Sequence, residues 1–221
     1  MEAEPRPNVN ADAPSSSPAA AVAVSSDLFL GASSSPTFTA KALTELGVTH
    51  LLNCTPAEPD QSGAFASWRV PIADDMHAPL HEHLQGAAEF IDAALAAGGR
   101  VCAFCIDGRS TAPAVLAFYL MRHRQLSLAD ALDAIAAVRP DAQPNVGFWQ
   151  RLVEAESWLR FSGADGVPSV SLQEYKWRFL ERHCGAERGA VLQSLELGRA
   201  EVETLISVHS GREQWTSADK G

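Results

Sequence analysis

Cys105 closes the apolar run Val101-Cys102-Ala103-Phe104 and opens the stretch Ile106-Asp107-Gly108-Arg109-Ser110-Thr111, after which Ala112-Pro113 leads into a further apolar segment. A cysteine delivered by an apolar strand to the first position of a glycine-bearing loop, with a helix beginning at the loop's far end, has its sulfur beside successive backbone N–H groups. Those amides and the positive end of the helix attract an anion. The same field favours thiolate over thiol, and the thiolate is the nucleophilic form of cysteine. The pattern points to a loop that holds an anionic group, such as a phosphate ester, over a sulfur nucleophile.

Such a loop works only if rigid elements fix both of its ends. Strands are predicted at 28–30, 49–53, 67–72 and 100–105, and helices at 39–46, 80–97, 111–123, 127–138 and 145–161. Strands alternating with helices predict an α/β domain with a mostly parallel central sheet flanked by helices. Pro113 falls in the first turn of the helix after the loop, where its missing N–H costs nothing. The stretch Val115-Leu116-Ala117-Phe118-Tyr119-Leu120-Met121 reads as a buried central helix.

The ends of the chain differ from its middle. Residues 1–24 are rich in Pro, Ala and Ser without a periodic apolar face and are expected to be a disordered tail, leaving 25–162 as the domain. Residues 163–221 begin as a Gly/Pro-bearing linker and continue as a helical extension, with patterns at 173–184, 187–196 and 199–208. Tyr175, Trp177, Phe179 and Leu180 form an apolar face by which that extension would pack on the domain.

Blocks spread over most of the chain resemble, in order and spacing, the dual-specificity protein phosphatase family. They are Ser26-Asp27-Leu28-Phe29-Leu30-Gly31, the stretch from Leu43 to Asn53, Val70-Pro71-Ile72-Ala73-Asp74-Asp75, Tyr119-Leu120-Met121, Ser127-Leu128-Ala129-Asp130-Ala131, Val138-Arg139-Pro140 and Pro144-Asn145-Val146-Gly147-Phe148. The resemblance implies the family's phosphatase fold, with Cys105 as nucleophile and Asp74 as the acid that protonates the leaving oxygen. Asp75, next to Asp74, is the alternative. Ile106, Asp107, Gly108, Arg109, Ser110 and Thr111 would then hold the phosphate, and neither a cofactor nor a metal is implied.

The loop departs from that family's pattern of a cysteine, five residues and an arginine, with histidine before and a hydroxyl residue after. This chain has Phe104, Cys105, Thr111 and Ala112 at those positions. A planar guanidinium grips two phosphoryl oxygens and stabilises the charge that spreads over them during transfer. Threonine brings one hydroxyl and no charge. Phe104 and Ala112 remove two further polar groups, and Asp107 adds a negative charge to an anion site. Cys105 is accordingly expected to be less acidic than in an active member. Arg109 stands two positions before the missing arginine and reads either as a partial replacement approaching from the rim or as a solvated loop residue.

Composition bounds the rest. A formal charge of −10 argues against nucleic acid, which needs basic surface, and the longest apolar runs are too short to cross a membrane. The acidic start Met1-Glu2-Ala3-Glu4 is unlike a secretory signal, so a cytoplasmic or nuclear protein with free cysteines is expected. Cys102 and Cys105 have C-x-x-C spacing, but three residues apart on a strand they face opposite ways, and His77, His81 and His83 read as surface histidines. Two functions follow. One is a pseudophosphatase that binds a phosphorylated or other protein partner; the other is a phosphatase of low or altered activity using Cys105, Asp74 and Arg109. The oligomeric state is not legible.

Overall fold

The computed structural model describes residues 21–56, 65–160, 169–175 and Arg178. Its strands are β1 (Ala21–Ala23), β2 (Leu28–Ala32), β3 (His50–Asn53), β4 (Ala66–Arg69) and β5 (Val101–Cys105), arranged β1-β2-β5-β3-β4. All neighbours run parallel except β1, which pairs antiparallel with β2. Central β5 is buried on both faces, and its side chains alternate between two cores. Val101, Ala103 and Cys105 enter the larger one, while Cys102 and Phe104 enter the smaller. The two-residue period thus sets Cys102 and Cys105 on opposite faces, as their spacing predicts.

Helix α1 (Ala40–Glu45) starts at Thr39, whose hydroxyl caps Ala42 N, and closes the smaller core with Leu43. The other face carries α2 (His81–Ala96), α3 (Thr111–Arg124), α4 (Leu128–Val138) and α5 (Val146–Arg160). Helix α3 packs against β5, α2, α4 and α5, so every residue from Thr111 to Met121 is buried and that stretch has no polar side. The predicted α/β architecture, a mostly parallel sheet flanked by helices, is the one observed.

Two details differ from expectation. The tail expected to be disordered through residue 24 gives its last residues to β1: Val24 N and Ser25 N both bond Leu28 O, at 2.8 and 3.1 Å, and the turn they close lets Ala21–Ala23 satisfy the edge of β2. The strand predicted at 67–72 ends at Arg69, just ahead of Pro71, although Val70 N still reaches Asn53 O at 2.8 Å. The linker at 163–168 and the helical patterns at 187–196 and 199–208 lie outside the described residues, as do residues 1–20.

Of the apolar face expected on the extension only Tyr175 lies among the described residues, Trp177, Phe179 and Leu180 and most of the pattern at 173–184 falling outside them. The described part meets the domain through Tyr175 and through contacts that the sequence did not announce. Glu156 on α5 is 1% exposed. Its carboxylate accepts the N–H of Leu128 at 2.8 Å, the first turn of α4, and from the extension the N–H of Ser169 at 2.6 Å and its hydroxyl at 3.0 Å. Trp149 donates Nε1 to Ser171 O at 3.2 Å and meets Tyr175 edge-on with ring centroids 5.2 Å apart. Arg178 pairs with Asp133 on α4 and with Glu174, both at 2.9 Å. Val170 and Tyr175 are buried in the same core as α3.

Candidate active site

The loop begins where the sheet ends, and its neighbours hold it on both sides. Ser33 N bonds Cys105 O and Ser34 N bonds Ile106 O, both at 2.9 Å, carrying the β2–β5 ladder beyond the strands. Cys54 N bonds Phe104 O at 2.8 Å from the β3 side. At Gly108 the backbone turns to φ +67°, and a Cβ there would press on Gly31 O and the Arg139 guanidinium, so only glycine fits without strain. Arg139 is buried beneath the loop and donates Nη1 to Asp107 O at 3.2 Å. The loop closes into α3 with Ala114 N bonding Ser110 O at 3.0 Å.

This path makes the amide-lined cup. Burial pushes the Cys105 thiol up from its ordinary value, and the Asp74 carboxylate adds to the rise; the backbone N–H groups of Ala112, Ser110 and Gly108, which bond the sulfur, oppose it. Desolvation wins, so the floor of the cup is a thiol and not a thiolate at neutral pH.

Asp74 Oδ1 accepts the Ser110 hydroxyl at 2.5 Å and the Asn145 side-chain amide at 2.7 Å. Asn145 N in turn donates to Ser110 Oγ at 3.0 Å, and Asn145 Oδ1 accepts Phe148 N at 2.9 Å, capping α5. Gly147 lets the Asp74 segment close onto α5, because a Cβ there would run into the Met76 carbonyl. Asp75 has turned to its own backbone, accepting His77 N at 2.7 Å. Of the two aspartates, Asp74 is therefore the one brought to the loop.

The remaining loop side chains divide between rim and interior. Ile106 is exposed, and Asp107 accepts the Ser34 hydroxyl at 3.0 Å. Arg109 holds its Nε 3.8 Å from Asp141 Oδ2 at the rim. Thr111 opens α3 and is buried. Phe104 lies on the opposite face from Cys105, with its ring centroid 4.8 Å from that of Phe38 in a cluster with Leu43, Val48 and Leu51. Among the described residues, no group of three or more His, Cys, Asp or Glu side chains converges as a metal site.

Sequence reasoning missed three supports of this site: Arg139 beneath the loop, Ser110 as a bracket for Asp74, and Asn145 as its partner. Only Asn145 carried a local signal, an asparagine just ahead of an apolar-periodic helix. The other two depend on contacts distant in sequence.

An α/β domain whose central strand delivers a cysteine to an amide-lined loop, with an aspartate held over it, defines a cysteine-dependent phosphatase fold. Residues 28–158 match the family model described as dual specificity phosphatase, catalytic domain. The chain belongs to the dual specificity phosphatase family. It is 39% identical over 140 residues to dual specificity phosphatase 28 of Homo sapiens, covering 63% of this chain and 79% of that one. The crystal structure of the same human protein superposes with a TM-score of 0.61 at 38% identity, over 65% of this chain and 97% of the other. Human tyrosine phosphatase-like serine/threonine/tyrosine-interacting protein superposes with a TM-score of 0.57 at 26% identity, over 62% of this chain and 96% of that one.

Proposed function

We propose that this chain is a pseudophosphatase, a dual-specificity phosphatase-like domain that binds a phosphorylated or other protein partner through its loop without turning it over. The observation that carries this reading is Thr111, a buried neutral side chain where the family has the guanidinium that spans the phosphoryl oxygens. In nucleotide hydrolases an arginine serving the transition state is worth about 10³–10⁵ in rate, and a loss of that order leaves little turnover. The ion pair of Arg109 with Asp141 supports the reading, since a partial replacement would have to leave it. So does the raised pKa of Cys105, which withholds the nucleophilic form. The likeness to a protein named as phosphatase-like and interacting agrees with a binding role.

A second reading, a phosphatase of low activity using Cys105, Asp74 and Arg109, draws on one observation: Asp74 is held against the loop and the amides still bond the sulfur. The assay that separates them measures hydrolysis of a phosphotyrosine analogue by the wild type, Cys105→Ser and Arg109→Ala. Equal background rates for all three support the pseudophosphatase. Wild-type turnover that both substitutions abolish establishes the enzyme.

A further inference from the structure

The fixed charges around the cup lean negative, with the carboxylates of Asp74, Asp75, Asp107 and Asp141 against the guanidinium groups of Arg109 and Arg139. From the segment before α2, Asp74 brings a carboxylate that is bonded to Ser110 and Asn145, and Asp75 is bonded to His77 N. From the loop, Asp107 is taken by Ser34, and Arg109 is paired with Asp141 of the α4–α5 connection. From beneath, Arg139 sets its guanidinium against Gly108. Cys105 is neutral, because burial keeps its thiol protonated. What draws an anion inward is then the amides and the end of α3, worth about half a positive charge. The family's arginine would add a whole one. In its place Thr111, 2% exposed, offers one hydroxyl and no charge.

We propose that Thr111 sets the charge that the loop accepts. The site takes a tetrahedral oxyanion of single negative charge borne on an aromatic or apolar group, in preference to a dianionic phosphate ester. That class comprises a sulfate or sulfonate, or a phosphate ester that keeps one proton. The inference rests on the reading of the loop as a binding site. A second negative charge costs further desolvation, and with Asp74 beside the cup, Arg109 paired with Asp141 and Arg139 engaged with Asp107 O from beneath, little offsets that cost. Ile106, 53% exposed in the loop itself, and Met76, 43% exposed two residues after Asp74, are apolar surface on which a carrier group can rest.

Benzenesulfonate and phenylphosphonate test this. They share shape and ring, neither is hydrolysed, and only the phosphonate gains a second charge as pH rises through neutrality. Both are titrated into the ¹⁵N-labelled full chain at pH 5 and pH 8, with the amide resonances of Gly108, Ser110 and Ala112 reporting binding. The sulfonate, whose own charge does not change over this range, serves as the control for any change in the protein between the two pH values. At pH 8 the sulfonate should bind at least about fivefold more tightly, and at pH 5 the two should agree within about twofold. In Thr111→Arg the phosphonate at pH 8 should gain at least about tenfold and overtake the sulfonate. Equal binding at pH 8, or a preference for the dianion in the wild type, would overturn the charge selection while leaving the loop as a binding site. No shift of the three amides with either ligand would overturn both. The wild-type pair decides the matter by itself should the variant fail to fold.

Discussion

Asn145 donates its side-chain amide to Asp74 Oδ1 at 2.7 Å while its own oxygen caps α5, so one residue fixes both a helix start and the position of Asp74. Asn145→Ala should lose about 1 kcal/mol from the cap alone. In a Thr111→Arg background, where turnover can be read, it should also lower kcat about tenfold for phenyl phosphate and less than about threefold for p-nitrophenyl phosphate, because only the poorer leaving group needs the proton. Equal losses on both substrates would mean that Asn145 serves the fold and not Asp74.

Thr111→Arg should raise kcat/KM for an aryl phosphate at least tenfold over wild type, about 1.4 kcal/mol of transition-state stabilisation. Under the low-activity reading the same change helps little and Arg109→Ala abolishes the wild-type rate. Steady-state kinetics on the two variants decide between them.

Position 104 shows where the sequence was legible and where it was not. The residue types alone gave the strand, the loop, the helix after it and the opposed faces of Cys102 and Cys105, because each follows from local periodicity. In the same way the departures Phe104, Thr111 and Ala112 were visible as lost polar groups. That Phe104 is held in a cluster with Phe38, Leu43, Val48 and Leu51 was not visible, since those partners come from elsewhere in the chain. Nor was the bond from Ser110 to Asp74, or the burial of Glu156, each made by elements far apart in sequence. Phe104→His would set a polar ring among apolar side chains and should cost about 2–4 kcal/mol in chemical denaturation, with no gain in rate when added to Thr111→Arg.

Alkaline pH should destabilise the domain. Burial pushes Cys102 up to about 12, against the pull of Arg139, and raises Cys54 and Cys105 as well. Unfolded thiols lose their protons near ~8.5 while the folded ones keep them, so the stabilisation is full below that pH and is lost as pH rises toward 12. Denaturant midpoints at pH 8 and pH 10 should differ, with Cys102 accounting for about 2 kcal/mol. Cys102→Ala should flatten the slope, and an unchanged slope would count against a buried thiol at that position.

Glu156 is the only described side chain that accepts from both α4 and the extension. Glu156→Ala strands the N–H groups of Leu128 and Ser169 and should cost about 2–4 kcal/mol. Limited proteolysis should then cut the chain after 160 at a protease concentration that spares the wild type. Equal resistance of the two proteins would show that the contacts of Val170, Ser171, Tyr175 and Arg178 hold the extension without Glu156.

The family match ends at residue 158, and Ser169, Val170 and Tyr175 seat themselves against the domain after that point; β1 does the same before residue 28. The unit that folds is thus wider at both ends than the unit that a family shares. A recombinant fragment trimmed to the shared borders would uncover one flank of β2, leave Trp149 without its ring partner and open the Glu156 carboxylate to water. Any weak activity or instability of such a fragment would then report on the cut, and comparisons of this chain with its relatives are fair only when the flanking segments stay attached.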